Sequence, residues 1–228
     1  MRKFFRVLRN LILIGLLAFG VWNYQNNANF RNATNDSVAT LRNRISQLMT
    51  NGSLNAPTLG DNPTSKSPDS KKATPLKKGA STWDKPEASV YIDLENNPTL
   101  RSATMDAINI WNRTGAFTFK QINNKSKAQI VVSAVSESDT SAAGETYTTY
   151  NPATAHLLHA KIQLNRFYLQ NRWYGYSNAR IVNTVEHELG HAIGLSHTNG
   201  VSVMYPKGSF YTIQPVDIRA VKKLYSEK

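Results

Sequence analysis

The 228-residue chain contains no cysteine. That absence excludes a disulfide framework, a thiol nucleophile and any metal site built on thiolates. Acidic side chains are scarce, 15 Asp and Glu against 27 Lys and Arg, so the formal net charge is +12. The excess is uneven. Residues 1–82 carry 12 basic and 3 acidic side chains, whereas residues 83–228 carry 15 and 12. The second half has no stripe of basic residues interleaved with aromatics, which argues against nucleic acid as a partner. It also has no repeat of 20–50 residues to suggest a solenoid or propeller. Large apolar residues are almost missing from APTLGDNPTSKSPDSKKATPLKKGAST, residues 56–82. Such a segment cannot bury enough surface to fold alone and reads as an extended, mostly disordered linker.

Long hydrophobic runs are limited to one, Leu11 to Trp22, whose 12 residues fall short of the ~20 that span a bilayer comfortably. Arg2, Lys3, Arg6 and Arg9 precede it, the charge-then-apolar order of an export signal. Counting Phe4 to Leu8 makes the segment long enough to span, with Arg6 and Arg9 snorkelling to the cytoplasmic interface. Two outcomes stay open: retention as an anchor, which we favour, or cleavage near Gly20 at Ala18-Phe19-Gly20 and secretion. In the first, the positive-inside rule places everything after Trp22 outside the cell membrane. The basic excess suits an anionic lipid or envelope surface, or simply solvates the tether. Within 36–49, Val38, Leu41, Ile45 and Leu48 fall at heptad a/d spacing behind Asp36. That predicts a short helix lying on the membrane or packing on the domain, since two heptads are too few for a coiled coil. The chain thus divides into a signal or anchor segment (1–22), a polar linker (23–82) and a folded domain (83–228).

From Trp83 the pattern becomes globular. SVYIDL (89–94) predicts a strand, and NPTLRSATMDAINIWNRTG (97–115) a helix. Pro98 suits the first helical turn, Gly115 the stop, and Leu100, Met105, Ile108 and Trp111 the buried face. AFTFKQI (116–122) alternates as a strand, and AQIVVSAV (128–135) is apolar enough to be central. AGETYTTY and AKIQLNRF are further strand candidates, separated by NPATAHLLH. A helix follows from about Asn178 to Ser196, and a last one over QPVDIRAVKKLY (214–225). Strand, helix, several strands, helix, helix predicts an α+β domain on one mixed twisted sheet.

The chemistry concentrates in HELGHAIGLSH, residues 187–197. His187 and His191 are four apart, one turn of a helix, so both imidazoles can meet one ion. Gly194 lets the chain leave the helix at positive φ and swing His197 round as a third ligand. Three neutral nitrogens suit Zn²⁺ and leave a fourth position for water. Glu188, next to His187, is placed to take a proton from that water as general base in peptide-bond hydrolysis.

H-E-x-x-H-x-x-G-x-x-H followed by a methionine turn, here Met204 in SVMYP, resembles the metzincin zinc peptidases. Met204-Tyr205-Pro206, Ser196 before the third histidine and the closing IQPVDIRAVKKLY are most similar to the matrixins. The resemblance implies a metzincin fold with an active-site helix, a Met-turn and a C-terminal helix. It also implies an apolar floor from Met204, a brace from Asp217 on the Met-turn, and substrate held along an edge strand at GETYTTY. Gly144, Tyr147, Tyr205 and Pro206 are the substrate-contact candidates. The departures also matter. Animal matrixins block their zinc with a propeptide cysteine, which this chain lacks. The family's adjacent Asp pair is reduced to Val216-Asp217, and the wall after the Met-turn reads Pro206-Lys207-Gly208. His156 and His159 lie outside the family's structural metal loop, so we expect one catalytic zinc and neither a second zinc nor calcium. A monomer acting on protein or peptide is expected. Two alternatives stand beside a zinc endopeptidase: a non-catalytic zinc-binding surface protein, and a zinc amidase acting on cell-wall amide bonds.

Overall fold

A computed structural model describes residues 2–26, 31, 34–35, 38, 41–42, 45–46, 49 and 81–226. The chain falls into two compact units, Met1–Asn55 and Ala56–Lys228. In the first, helix α1 (Arg2–Asn26) runs unbroken through the apolar run. Its apolar side chains from Ile12 to Trp22 are exposed, Leu17 at 70%. Among the described residues no helix is long and apolar enough to cross a membrane. Val38, Leu41 and Ile45 are helical and exposed. Leu48 and most of the expected linker lie outside the described residues.

The second unit is built on a five-stranded sheet. Its strands are β1 (Glu87–Asp93), β2 (Thr118–Gln121), β3 (Ile130–Val135), β4 (Gly144–Tyr150) and β5 (Leu157–Asn165). The order across the sheet is β2-β1-β3-β5-β4. The first four neighbours are parallel, and β4 runs antiparallel to β5 as an edge. AQIVVSAV is therefore central, as its mostly apolar character predicts, and GETYTTY is an edge. Burial alternates along β1, where Ala88, Val90 and Ile92 point into the core. These join Ile130 and Val132 of β3 and Ile162 and Leu164 of β5, all fully buried.

Among the described residues the unit also has four α-helices: α2 (Pro98–Arg113), the short α3 (Arg166–Leu169), α4 (Asn178–Ala192) and α5 (Pro215–Ser226). The Asn97 side chain caps α2 by accepting from Leu100 N (3.1 Å), and Pro98 fills the first turn. Gly115 stops the segment at φ +64°. Two expectations need correction. Met105 is exposed; the buried face of α2 is Leu100, Ala103, Thr104, Ala107, Ile108 and Trp111. Five residues from Leu100 rotate a side chain about 140° away on a 3.6-residue helix, whereas four or eight keep it on one face. The last strand also starts at Leu157, inside the segment expected to separate two strands, because Leu157 already pairs with Tyr150 across the ladder.

α2 packs on α4, and α4 lies across β4 and β5. Two tryptophans fasten α4 from either side. Trp111 Nε1 donates to Glu186 O (3.0 Å) and Trp83 Nε1 to Ala192 O (2.9 Å). A buried indole with its N–H satisfied adds apolar area without an orphan donor. The helix that carries the histidines is thus held at both ends of its second half.

Candidate metal centre

α4 starts at Ser177, whose side chain accepts from Arg180 N. Ile181, Val185 and Leu189 are buried along its core face. The helix ends at Ala192, four residues before the Ser196 that periodicity suggests. The cause is a Schellman turn: Leu195 N donates to Gly190 O (3.0 Å) and Gly194 N to His191 O (3.0 Å), with Gly194 at φ +100°. A Cβ on Gly194 would also sit 2.5 Å from Ser81 O. Glycine is required there twice over, by conformation and by space.

This turn reverses the chain and brings His197 beside His187 and His191. The three Nε2 atoms stand 3.0, 3.0 and 3.1 Å from one another. They are the one group of three His, Cys, Asp or Glu among the described residues that could hold a metal ion. Nitrogens bound about 2.0–2.1 Å from a common tetrahedral ion lie roughly 3.3 Å apart, so the triangle is a few tenths of an ångström tight.

The proton positions point the same way. His187 Nδ1 lies 2.6 Å from Val203 O, and His191 Nδ1 lies 2.9 Å from Leu195 O. A carbonyl only accepts, so each Nδ1 carries the N–H and each Nε2 presents a lone pair. Burial, then the neighbouring imidazoles, push the His187 pKa well below its usual value, so the ring is neutral. Bare lone pairs facing one another at 3 Å repel; a shared cation turns that repulsion into ligation. Backbone carbonyls fixing the far nitrogen are the outer support that metal-binding histidines need. The donor set therefore fits a zinc ion.

Glu188 is completely buried beside this cluster. Its Oε2 accepts from Thr146 Oγ1 (2.6 Å), while Oε1 has no hydrogen-bond partner. Burial pushes its carboxyl up to about 8 against the opposing Thr146 hydrogen bond. Gly144 lies against it: a Cβ there would come within 2.8 Å of Glu188 Cγ and Oε1.

The chain matches the matrixin family over residues 83–226. It belongs to that family. The fold is accordingly that of the metzincins, and the matrixin domain makes the chain a zinc metallopeptidase in the general sense. No curated protein matches the chain.

The turn that follows His197 in this matrixin is tied to the last helix. Asp217, buried in the first turn of α5, accepts from Ser202 Oγ (2.5 Å), Val203 N (3.0 Å) and Gln214 N (2.8 Å). Val203 is the residue whose carbonyl holds His187. Met204 is 1% exposed and packs on Gly190, where a Cβ would lie 2.4 Å from its Sδ. The loop beyond is fastened to α4 as well. Arg180 Nε donates to Gly208 O (2.9 Å) and Asn183 Nδ2 to Ser209 O (3.0 Å).

Of the substrate-contact candidates, Gly144 reaches Glu188. Tyr147 lies next along β4 and points to the face opposite Thr146. Tyr205 meets Tyr211 edge-on at 5.8 Å between ring centres, and Pro206 beside it is half-buried. His156 faces Asp84 at 3.6 Å, and His159 sits on β5 opposite Thr149. Sequence reasoning missed Thr146, Gly190 and the hydrogen bonds by which Trp83 and Trp111 hold α4. Gly190 left a trace, a glycine inside the helix between Leu189 and His191, where only close packing justifies its cost. Thr146 left none, because a threonine in an edge strand is ordinary.

Proposed function

We propose that the chain is a zinc-dependent endopeptidase that acts on the outer side of a membrane. The convergence of three Nε2 lone pairs, with the buried carboxylate of Glu188 next in sequence to His187, carries this reading. His187, His191 and His197 are the ligands. When bound, a zinc ion supplies a Lewis acid and lowers the pKa of water at the site. Glu188 takes a proton from the attacking water at Oε1 as the carbon–oxygen bond forms. It returns that proton to the leaving nitrogen as the carbon–nitrogen bond breaks, so no covalent enzyme intermediate arises. Gly194 sets the turn, Met204 fills the space under Gly190, and Asp217 braces the Met-turn. The open edge of β4, from Gly144 through Tyr147, suits an extended peptide paired by its backbone, with Tyr205 and Pro206 on the opposite wall. One catalytic zinc serves this chemistry, and the chain works as a monomer.

The location is read from the first unit. Four basic residues precede an apolar run, the order of an export signal that would place the catalytic unit outside, although no described helix is long and apolar enough to cross a membrane. Fractionation of a C-terminally tagged chain tests this; full release into the medium would rule out a retained anchor.

The activity is tested with the full chain, with and without Zn²⁺, on a mixed peptide library and on cell-wall amides, beside Glu188→Ala. Internal peptide cleavage that needs zinc and is lost in the variant is the expected result. Cleavage of cell-wall amides alone would make the chain an amidase, and stoichiometric zinc with no cleavage would make it a binding protein.

A further inference from the structure

We propose that Thr146 is the positioning residue for Glu188: its hydroxyl anchors Oε2 and so fixes the orientation of the carboxylate, with Oε1 as the oxygen that no protein group holds. This rests on the peptidase reading above. Thr146 lies on β4, opposite Ile162 of β5, with its side chain turned onto α4. Its Oγ1 is 2.6 Å from Glu188 Oε2 and 3.0 Å from Glu188 O. A hydroxyl has one proton, so it donates to only one of the two. The shorter contact lies in the 2.5–2.7 Å range of an O–H to carboxylate bond, which assigns the proton to Oε2 when Glu188 is ionised.

The two carboxylate oxygens of Glu188 then differ in kind. Oε2 is held by the sheet, and Oε1 has no partner. A free carboxylate in a cleft samples several rotamers, and a base must be held within a few tenths of an ångström to work. The anchor is reinforced sterically. At position 144, two residues back along the same strand face, any side chain would collide with Glu188 Cγ and Oε1. The absence of one at Gly144 lets the carboxylate lie flat against β4, and Thr146 fixes it there. A strand edge otherwise suited to substrate pairing thus also sets the direction of the base.

The variants Thr146→Val and Thr146→Ser separate this role from packing, since valine keeps the shape and serine keeps the hydroxyl. In the zinc-loaded full chain, Thr146→Val should lower kcat about ten- to a hundredfold, with KM and zinc stoichiometry within about twofold. Thr146→Ser should hold kcat within about threefold. In the Glu188→Ala background, Thr146→Val should have no further effect on residual turnover. Equal losses in valine and serine variants, or an unchanged kcat in the valine variant, overturn the inference. Crystal structures of both zinc-loaded variants supply a readout that needs no turnover. The Glu188 carboxylate should leave β4 in the valine variant and stay in the serine variant. If the wild-type chain cleaves nothing, the peptidase reading fails and these structures alone decide: a Glu188 unmoved in Thr146→Val refutes the anchoring role.

Discussion

Replacing Asp217 with alanine probes the link between the Met-turn and the metal centre. The carboxylate is 2% exposed and accepts three hydrogen bonds, from Ser202 Oγ, Val203 N and Gln214 N. Hydrogen bonds to a charged group contribute about 1.5–3 kcal/mol each, and a buried donor left unpaired costs about 1–3 kcal/mol. Ser202 can turn its hydroxyl elsewhere, but the two backbone N–H groups cannot move far. Gln214 N is also the first donor of α5, so its loss uncaps that helix. Together these give an expected loss of about 3–5 kcal/mol, a large share of the 5–15 kcal/mol typical of a domain. Val203 passes the effect to the site, since its N–H is held by Asp217 and its carbonyl holds His187 Nδ1. Zinc affinity should fall about tenfold or more. Urea unfolding followed by tryptophan fluorescence measures the first, because Trp83 and Trp111 are buried in this unit. Competition with a chromophoric chelator measures the second. A loss below about 1 kcal/mol with unchanged zinc affinity would refute the account of Asp217 as a brace.

Gly190→Ala puts a Cβ 2.4 Å from Met204 Sδ. The methionine must shift, and a stability loss of about 1–3 kcal/mol is expected by urea titration. Gly194→Ala meets both φ +100° and a backbone oxygen at 2.5 Å, so it should release zinc as well as destabilise; retention of zinc at the wild-type dissociation constant would contradict this. Tyr225 donates to Ile193 O and accepts from Trp83 N, and burial raises its pKa. Its folded pKa lies above its unfolded value near 10, so its contribution is intact below that pH and lost as pH rises through the folded value. Tyr225→Phe should flatten the fall in stability above pH 10 by up to about 1.4 kcal/mol per pH unit, read from urea midpoints between pH 9 and 12. Stripping zinc with EDTA should lower the melting temperature, and one equivalent of Zn²⁺ should restore it; an unchanged melting temperature would show that the three nitrogens do not share an ion.

What the sequence revealed follows from how local each signal is. The ligand spacing from His187 to His197 depends on one helix and one glycine turn, so it could be read without the rest of the fold. The start at Pro98 and the stop at Gly115 are local in the same sense. The strand β3 was legible as central because five of its six residues are apolar. The failures are of two kinds. The turn at Gly194 is legible, but apolar periodicity through Ile193 and Leu195 carries the expected helix on to Ser196, whereas α4 ends at Ala192. Met105 was placed on the wrong face by a one-residue drift in phase. Thr146, Gly190, Trp83 and Trp111 act across sequence separations of 14 to 109 residues, which no local pattern encodes.

The most direct test of the account is a zinc titration of the metal-free full chain on a peptide substrate, with bound zinc and cleavage rate followed together. The account predicts that rate rises with bound zinc, levels at one equivalent per chain, and stays at background throughout for Glu188→Ala and at substoichiometric zinc for His197→Ala. A chain that takes up one zinc and cleaves no peptide, or that cleaves equally with Glu188 removed, would contradict it.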